Sequence, residues 1–185
     1  MSTERLFLAM ALPAPVREQL VALYAPVRGV VWTRPEQLHL TLRFLGDVDV
    51  SLGETLEAAL ALIRVEPFVL PVAGVGSFPP RGPARVIWVG IGQGHPRLYQ
   101  LRQQIDDRLL ATGLALDVRF FQPHVSLGRV KEGVPPGAVP EFLKRHREFE
   151  AAPIRADAFG LYASSLHPSG AVHTLKREFP LRSPS

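Results

Sequence analysis

Apolar and polar residues alternate in several short runs of this chain, and elsewhere apolar residues recur at the three-to-four spacing of a helix that hides one face. Arg5 to Leu12 is an apolar run closed by Pro13, which predicts a first strand, and Pro15 to Tyr24 follows with helical spacing at Val16, Leu20, Leu23 and Tyr24. Val30 to Thr33 predicts a short strand, Arg34-Pro35-Glu36 a turn, and Leu38 to Phe44 a second strand stopping at Gly46-Asp47, with the two strands expected to pair antiparallel. Ser51 is placed to cap a helix over about Leu52 to Arg64, with Glu54 completing a capping box and Leu56, Leu60 and Ile63 as its buried stripe.

Pro67 ends that helix, and Phe68 to Phe78 and Arg85 to Ile91 read as a strand pair joined by Pro79-Pro80-Arg81-Gly82-Pro83. Pro96 opens a long helix over about Arg97 to Ala111, with Leu98, Leu101, Ile105 and Leu109 on one face and Gly113 as its C-cap. Phe120 to Val130 is a strand, Gly133 to Gly137 a turn, and Pro140 to Arg147 a short basic helix. Ile154 to Leu161 and Val172 to Phe179 are closing strands separated by His167-Pro168-Ser169-Gly170, and Arg182 to Ser185 is a frayed tail. A helix precedes a strand pair in each half, which hints at internal duplication. Segregated hairpins with helices to one side indicate α+β, and with no linker or low-complexity segment the chain is read as one domain, 1–185.

One stretch stands out for its chemistry. Apolar residues at Leu38, Leu40, Leu42 and Phe44 put His39, Thr41 and Arg43 together on the opposite face of their strand, and His124-Val125-Ser126-Leu127 repeats the arrangement 85 positions later. A lone His-x-Ser/Thr match means little, because 6 His and 15 Ser/Thr in 185 residues give about 0.5 by chance; His167-Pro168-Ser169, in a turn without alternation, is taken as such a match. Requiring the apolar neighbours lowers the expectation to roughly 0.05, so two qualifying copies are informative. Two histidines facing one phosphorus can displace a leaving group in line: one neutral imidazole takes a proton from the nucleophile while the other, as imidazolium, gives one to the departing oxygen. Hydroxyls and Arg would hold the remaining oxygens, and no cofactor is required.

Composition narrows this without deciding it. Apolar residues make up 46% of the chain, enough for a sizeable core, and no apolar run approaches the roughly 20 residues of a membrane span. Met1 to Arg5 lacks a basic region followed by an apolar core, so the expected compartment is the cytoplasm. The absence of cysteine excludes disulfides, thiolate metal sites and a cysteine nucleophile. Net charge is +4 (21 basic minus 17 acidic residues), 18 of the basic residues are Arg, and they are scattered rather than striped, which suits a short or terminal phosphate better than long nucleic acid.

The residues His39-Leu40-Thr41-Leu42 and His124-Val125-Ser126-Leu127 resemble the paired motifs of the two-histidine phosphoesterase superfamily. With Trp32-Thr33, Arg43-Phe44-Leu45-Gly46, the Phe78 to Trp88 region and Gly128-Arg129, the chain is similar to the RNA 2′,3′-cyclic phosphodiesterase branch, also called 2′-5′ RNA ligase. The resemblance implies a bilobal α+β fold of two antiparallel-sheet lobes, helices on the outer faces, pseudo-twofold symmetry and a central cleft. It implies metal-independent hydrolysis of a terminal 2′,3′-cyclic phosphate to a 2′-phosphate, and ATP-independent 2′-5′ joining of RNA ends as a reverse-type activity. It makes His39 the proton donor to the 3′ oxygen and His124 the acceptor from water, roles that near-symmetric motifs leave open. Thr41, Ser126 (where Thr is commoner) and Arg129 would bind substrate. Strict alternation from His124 points Arg129 to the other face, and a bulge at Gly128 would restore it.

The expected partners are RNA ends or small cyclic-phosphate nucleotides, with no metal, no membrane and a monomeric chain. A non-catalytic RNA-end or nucleotide-binding module using the same cleft is the main alternative, and a His-ligated metal hydrolase a third. His95, His146, His167 and His173 are assigned to the surface, to a solvated basic run and to the flanks of a turn.

Overall fold

The computed structural model describes residues 2–117, 120–167 and 170–184, and has the α+β architecture expected. Its strands are β1 (Thr3–Ala11), β2 (Val30–Trp32), β3 (His39–Asp49), β4 (Phe68–Phe78), β5 (Val86–Ile91), β6 (His124–Val130), β7 (Glu150–Ala156), β8 (Ala158–His167) and β9 (Gly170–Pro180). The helices are α1 (Ala14–Val21), α2 (Gly53–Leu60), α3 (Pro96–Ala111) and α4 (Ala138–Arg145). Two antiparallel sheets form, with strand orders β3-β1-β8-β9 and β2-β6-β5-β4-β7. Each motif strand is followed by its neighbour in the same sense, β3-β1-β8 in one sheet and β6-β5-β4 in the other, and β3 and β6 touch where the sheets meet.

The buried residues follow the predicted stripes. Leu6, Leu8 and Met10 of β1, Leu38, Leu40 and Leu42 before and in β3, and Val125 and Leu127 of β6 join one continuous apolar core. It also takes Leu56 and Leu60 of α2 and Leu98, Leu101, Ile105 and Leu109 of α3. At roughly 1.5–3 kcal/mol per fully buried side chain, this shared core is the main force holding the lobes together. Gly113 (φ +85°) ends α3 in the left-handed conformation its C-cap requires. No helix among the described residues is long and apolar enough to cross a membrane.

Four expectations need correction. β2 and β3 do not pair: Pro35 opens a 3-10 turn (Pro35–Gln37) that carries the chain from one sheet to the other, so β2 pairs with β6 and β3 with β1. β3 does not stop at Gly46-Asp47; Gly46 adopts φ +74° inside the ladder and the strand runs on to Asp49. α2 is entered through a 3-10 turn (Val50–Leu52) capped by Asp49, whose carboxylate accepts the Ser51 N–H at 2.9 Å, so Ser51 is not the cap. Ile154 to Leu161 is not one strand: the chain leaves one sheet at Asp157 and enters the other, making β7 and β8. The β8–β9 turn residues Pro168 and Ser169 lie outside the described residues.

Candidate active site

Both motif histidines begin their strands in the same setting. His39 Nδ1 lies 2.7 Å from the carbonyl of Gln37, and His124 Nδ1 lies 2.7 Å from the carbonyl of Gln122, each two residues upstream. A carbonyl can only accept, so Nδ1 carries the proton, and Nε2 is the nitrogen left for chemistry on both rings. Aromatic side chains wall each imidazole. Phe7 lies 5.1 Å from His39 between ring centres, and Phe78 packs edge-on to His124 at 4.9 Å with Trp88 at 6.3 Å.

These walls strip water from the rings and disfavour their charged forms. Burial, opposed by the Gln37 carbonyl and reinforced by His173 and His124, lowers the pKa of His39 from 6.5 to about 4. Burial also lowers that of His124, against the pull of the Gln122 carbonyl. Without an anion between them, both rings are neutral at pH 7.

The strands then depart from simple alternation in the same way. Along β3, Ala9 faces Thr41, Leu8 faces Arg43 and Phe7 faces Phe44, so Leu42 is an extra residue. Along β6, Trp88 faces Ser126, Ile87 faces Gly128 and Val86 faces Arg129, so Leu127 is the extra residue. The bulge turns Arg43 into the core, where it is only 6% exposed, donates to the Asp117 carbonyl at 2.6 Å and meets Asp106 at 3.3 Å. Arg43 therefore does not share the face of His39 and Thr41; Phe44, 67% exposed, does. The matching bulge returns Arg129 to the face of His124 and Ser126, as a bulge at Gly128 would require. The two halves thus present equivalent triples, His39-Thr41-Phe44 and His124-Ser126-Arg129.

Braces from other elements hold each bulge. Thr33 donates its N–H to the Leu127 carbonyl at 2.7 Å and its hydroxyl to the Ser126 carbonyl at 2.9 Å. On the other side Arg102 of α3 is buried, donates to the Leu42 carbonyl at 3.0 Å, grips both oxygens of Asp106 at 3.1 Å and lies 5.0 Å over the Phe121 ring. Gly76 of β4 matters here because a Cβ would sit 2.2 Å from the Trp88 indole, which lies across it beside His124.

The site holds residues that the alternation pattern does not single out. Phe7, Tyr162 and His173 surround His39, with Tyr162 stacked on Phe7 at 5.3 Å. His173, assigned above to the flank of a turn, meets the His39 ring instead. His95 is likewise not a free surface residue, since it stacks on Phe68 at 5.0 Å. Among the described residues, no three His, Asp or Glu side chains are grouped to hold a metal ion.

Comparison with known proteins converges on one family. The family described as LigT like Phosphoesterase matches residues 10–88 and again residues 89–173, once per half of the chain. The protein named RNA 2′,3′-cyclic phosphodiesterase from Thermus thermophilus is 34% identical, covering 96% of this chain and 90% of its own. The protein of that name from Archaeoglobus fulgidus is 30% identical, covering 95% and 99%. A crystal structure of a Thermus thermophilus protein superposes with a TM-score of 0.82 at 29% identity, covering 98% of this chain and 100% of that one. Escherichia coli LigT complexed with 3′-AMP gives 0.78 at 28% identity, covering 97% and 99%.

Proposed function

Since the chain belongs to the LigT-like phosphoesterases, we propose that it hydrolyses the 2′,3′-cyclic phosphate at an RNA end to a 2′-phosphate through His39 and His124. The observation that carries this reading is the duplicated setting of the two imidazoles, each with Nδ1 tethered and Nε2 available. Named relatives act as RNA 2′,3′-cyclic phosphodiesterases, and Escherichia coli LigT is seen with phosphate, 3′-AMP and ATP, which supports a phosphorylated nucleotide as ligand.

In this reading the phosphoryl group lies between the rings. Neutral His124 Nε2 takes a proton from water as its oxygen bonds to phosphorus, and the bond from phosphorus to the 3′ oxygen breaks as His39 Nε2–H protonates that oxygen. Thr41, Ser126 and Arg129 donate to the oxygens on which charge collects. The imidazolium is rare in the free protein, so the charge of the bound phosphodiester has to offset burial and raise the pKa of His39. Replacing water by a 5′-hydroxyl, with each ring keeping its role and the 3′ oxygen still leaving, gives ATP-independent 2′-5′ joining. No metal takes part in this scheme, and one bilobal monomer suffices for it.

The test is incubation with excess chelator and a short RNA ending in a 2′,3′-cyclic phosphate, resolving 2′- from 3′-phosphate product. The 2′-phosphate should form, and His39→Ala and His124→Ala should each lower kcat by about 10²–10⁴-fold. Turnover by the double variant would sink the proposal, and tight RNA binding with intact substrate would favour a binding module.

A further inference from the structure

A third imidazole reaches the same place from an unexpected direction. His173 belongs to β9, at the opposite edge of its sheet from β3, yet its ring meets His39 edge-on at 5.4 Å and Phe7 at 4.9 Å. The two rings meet over Phe7 of the intervening β1, and the side-chain amide of Gln37, in the turn ahead of β3, donates to the Ala171 carbonyl of β9. His39, His173, Phe7 and Tyr162 line one cavity of about 90 Å³, which also borders Arg17 and Glu36. That volume has room for several waters, or for part of a ligand seated against His39.

The two nitrogens of His173 differ. Nδ1 is buried and has no hydrogen-bond partner among the described residues. A proton there would be an orphaned donor, which folded proteins avoid more strictly than an orphaned acceptor. The proton therefore belongs on Nε2 of a residue that lines the cavity, and burial keeps the ring neutral by lowering its pKa. A neutral donor suits this position, because a fixed cation beside His39 would further oppose its protonation.

We propose that His173 is a substrate-binding residue that donates its Nε2–H to a phosphoryl oxygen on the His39 side of the site. In this arrangement His173 and Thr41 hold the anion from one half while Arg129 and Ser126 hold it from the other. The assignment rests on the phosphodiesterase reading for its substrate, although inorganic phosphate alone probes the site. His173→Phe keeps the ring packing against Phe7 and His39 but removes both nitrogens, and His173→Gln restores an N–H without an imidazole.

The experiment titrates wild type and both variants with inorganic phosphate by NMR and measures kcat and KM on RNA ending in a cyclic phosphate. His173→Phe should weaken phosphate binding and raise KM about tenfold, with kcat less affected and with His173→Gln recovering most of the loss. A His173→Phe protein that binds phosphate and RNA as tightly as wild type overturns the assignment. Weakened phosphate binding alongside a wild type that never turns RNA over would uphold His173 and reject the phosphodiesterase reading instead. Should His173→Phe misfold, His173→Met takes its place, and phosphate binding as tight as that of His173→Gln would equally overturn it.

Discussion

Tying Nδ1 of an imidazole to a carbonyl fixes where its proton chemistry occurs, and burying the ring fixes at what pH. Because His39 and His124 both lie below the ordinary imidazole value near 6.5 in the free protein, the singly protonated form is already the minor one at pH 6.5 and becomes scarcer still as pH rises. We expect kcat/KM to fall about tenfold per pH unit there, while kcat holds to higher pH because bound phosphodiester stabilises the imidazolium. Separate pH profiles of the two constants check this, and a kcat/KM flat to pH 9 would contradict it. Stability carries the same signature. Between pH 6.5 and about 4 the unfolded chain protonates His39 while the folded chain does not, so stability is complete above this window and falls as pH drops through it, by up to roughly 3 kcal/mol. His39→Asn should flatten that decline in urea titrations at pH 7 and pH 4.5. The residues carrying these effects were legible as His39, Thr41, His124 and Ser126, because two apolar-flanked copies of one pattern exceed chance. His173 was not, because nothing local to β9 records that its side chain meets His39 of a strand three places away.

At the scale of elements, the decisive features are the two bulges and their braces. An inserted residue leaves hydrophobicity intact on both sides of it, so Leu42 and Leu127 looked like ordinary inward residues while the faces beyond them had switched. Hence Arg43 was read on the wrong face, and Arg129 could be placed correctly only by supposing a bulge. Helix α3 was clear from its stripe, but the role of Arg102 was hidden, since its partners Leu42, Asp106 and Phe121 come from three segments. Arg102→Met should leave Asp106 with a weakened buried pairing and the Leu42 carbonyl without this donor. We expect a loss of about 3 kcal/mol in denaturant unfolding, and a kcat that falls more than KM rises because the β3 bulge loses its brace. Gly76→Ala forces the Trp88 indole off its strand, at a cost of about 2 kcal/mol. Indole fluorescence, read in a Trp32→Phe background, should report that movement together with reduced turnover.

Across the whole molecule, the two halves repeat one plan, and the family match falls on each half in turn. The antiparallel α+β class and most hairpins followed from turn residues and period-two runs. The crossing at Asp157 did not, because Ile154 to Leu161 is equally strand-like on both sides of the point where it changes sheets. That crossing is physical as well as topological: β7 and β8 are consecutive yet belong to different lobes, so the lobes cannot separate without pulling on Asp157, whose carbonyl accepts the Leu181 N–H at 2.7 Å.

Phe44 and Arg129 occupy equivalent positions beyond the two bulges, and there the halves differ sharply in chemistry. A cage with true twofold symmetry would accept an asymmetric guest in two orientations of equal energy, and half of all encounters would arrive backwards. An exposed aromatic ring on one rim and a guanidinium on the other remove that degeneracy. In the proposed reading, the direction in which a nucleotide faces is then biased by a difference between two halves that otherwise share one plan.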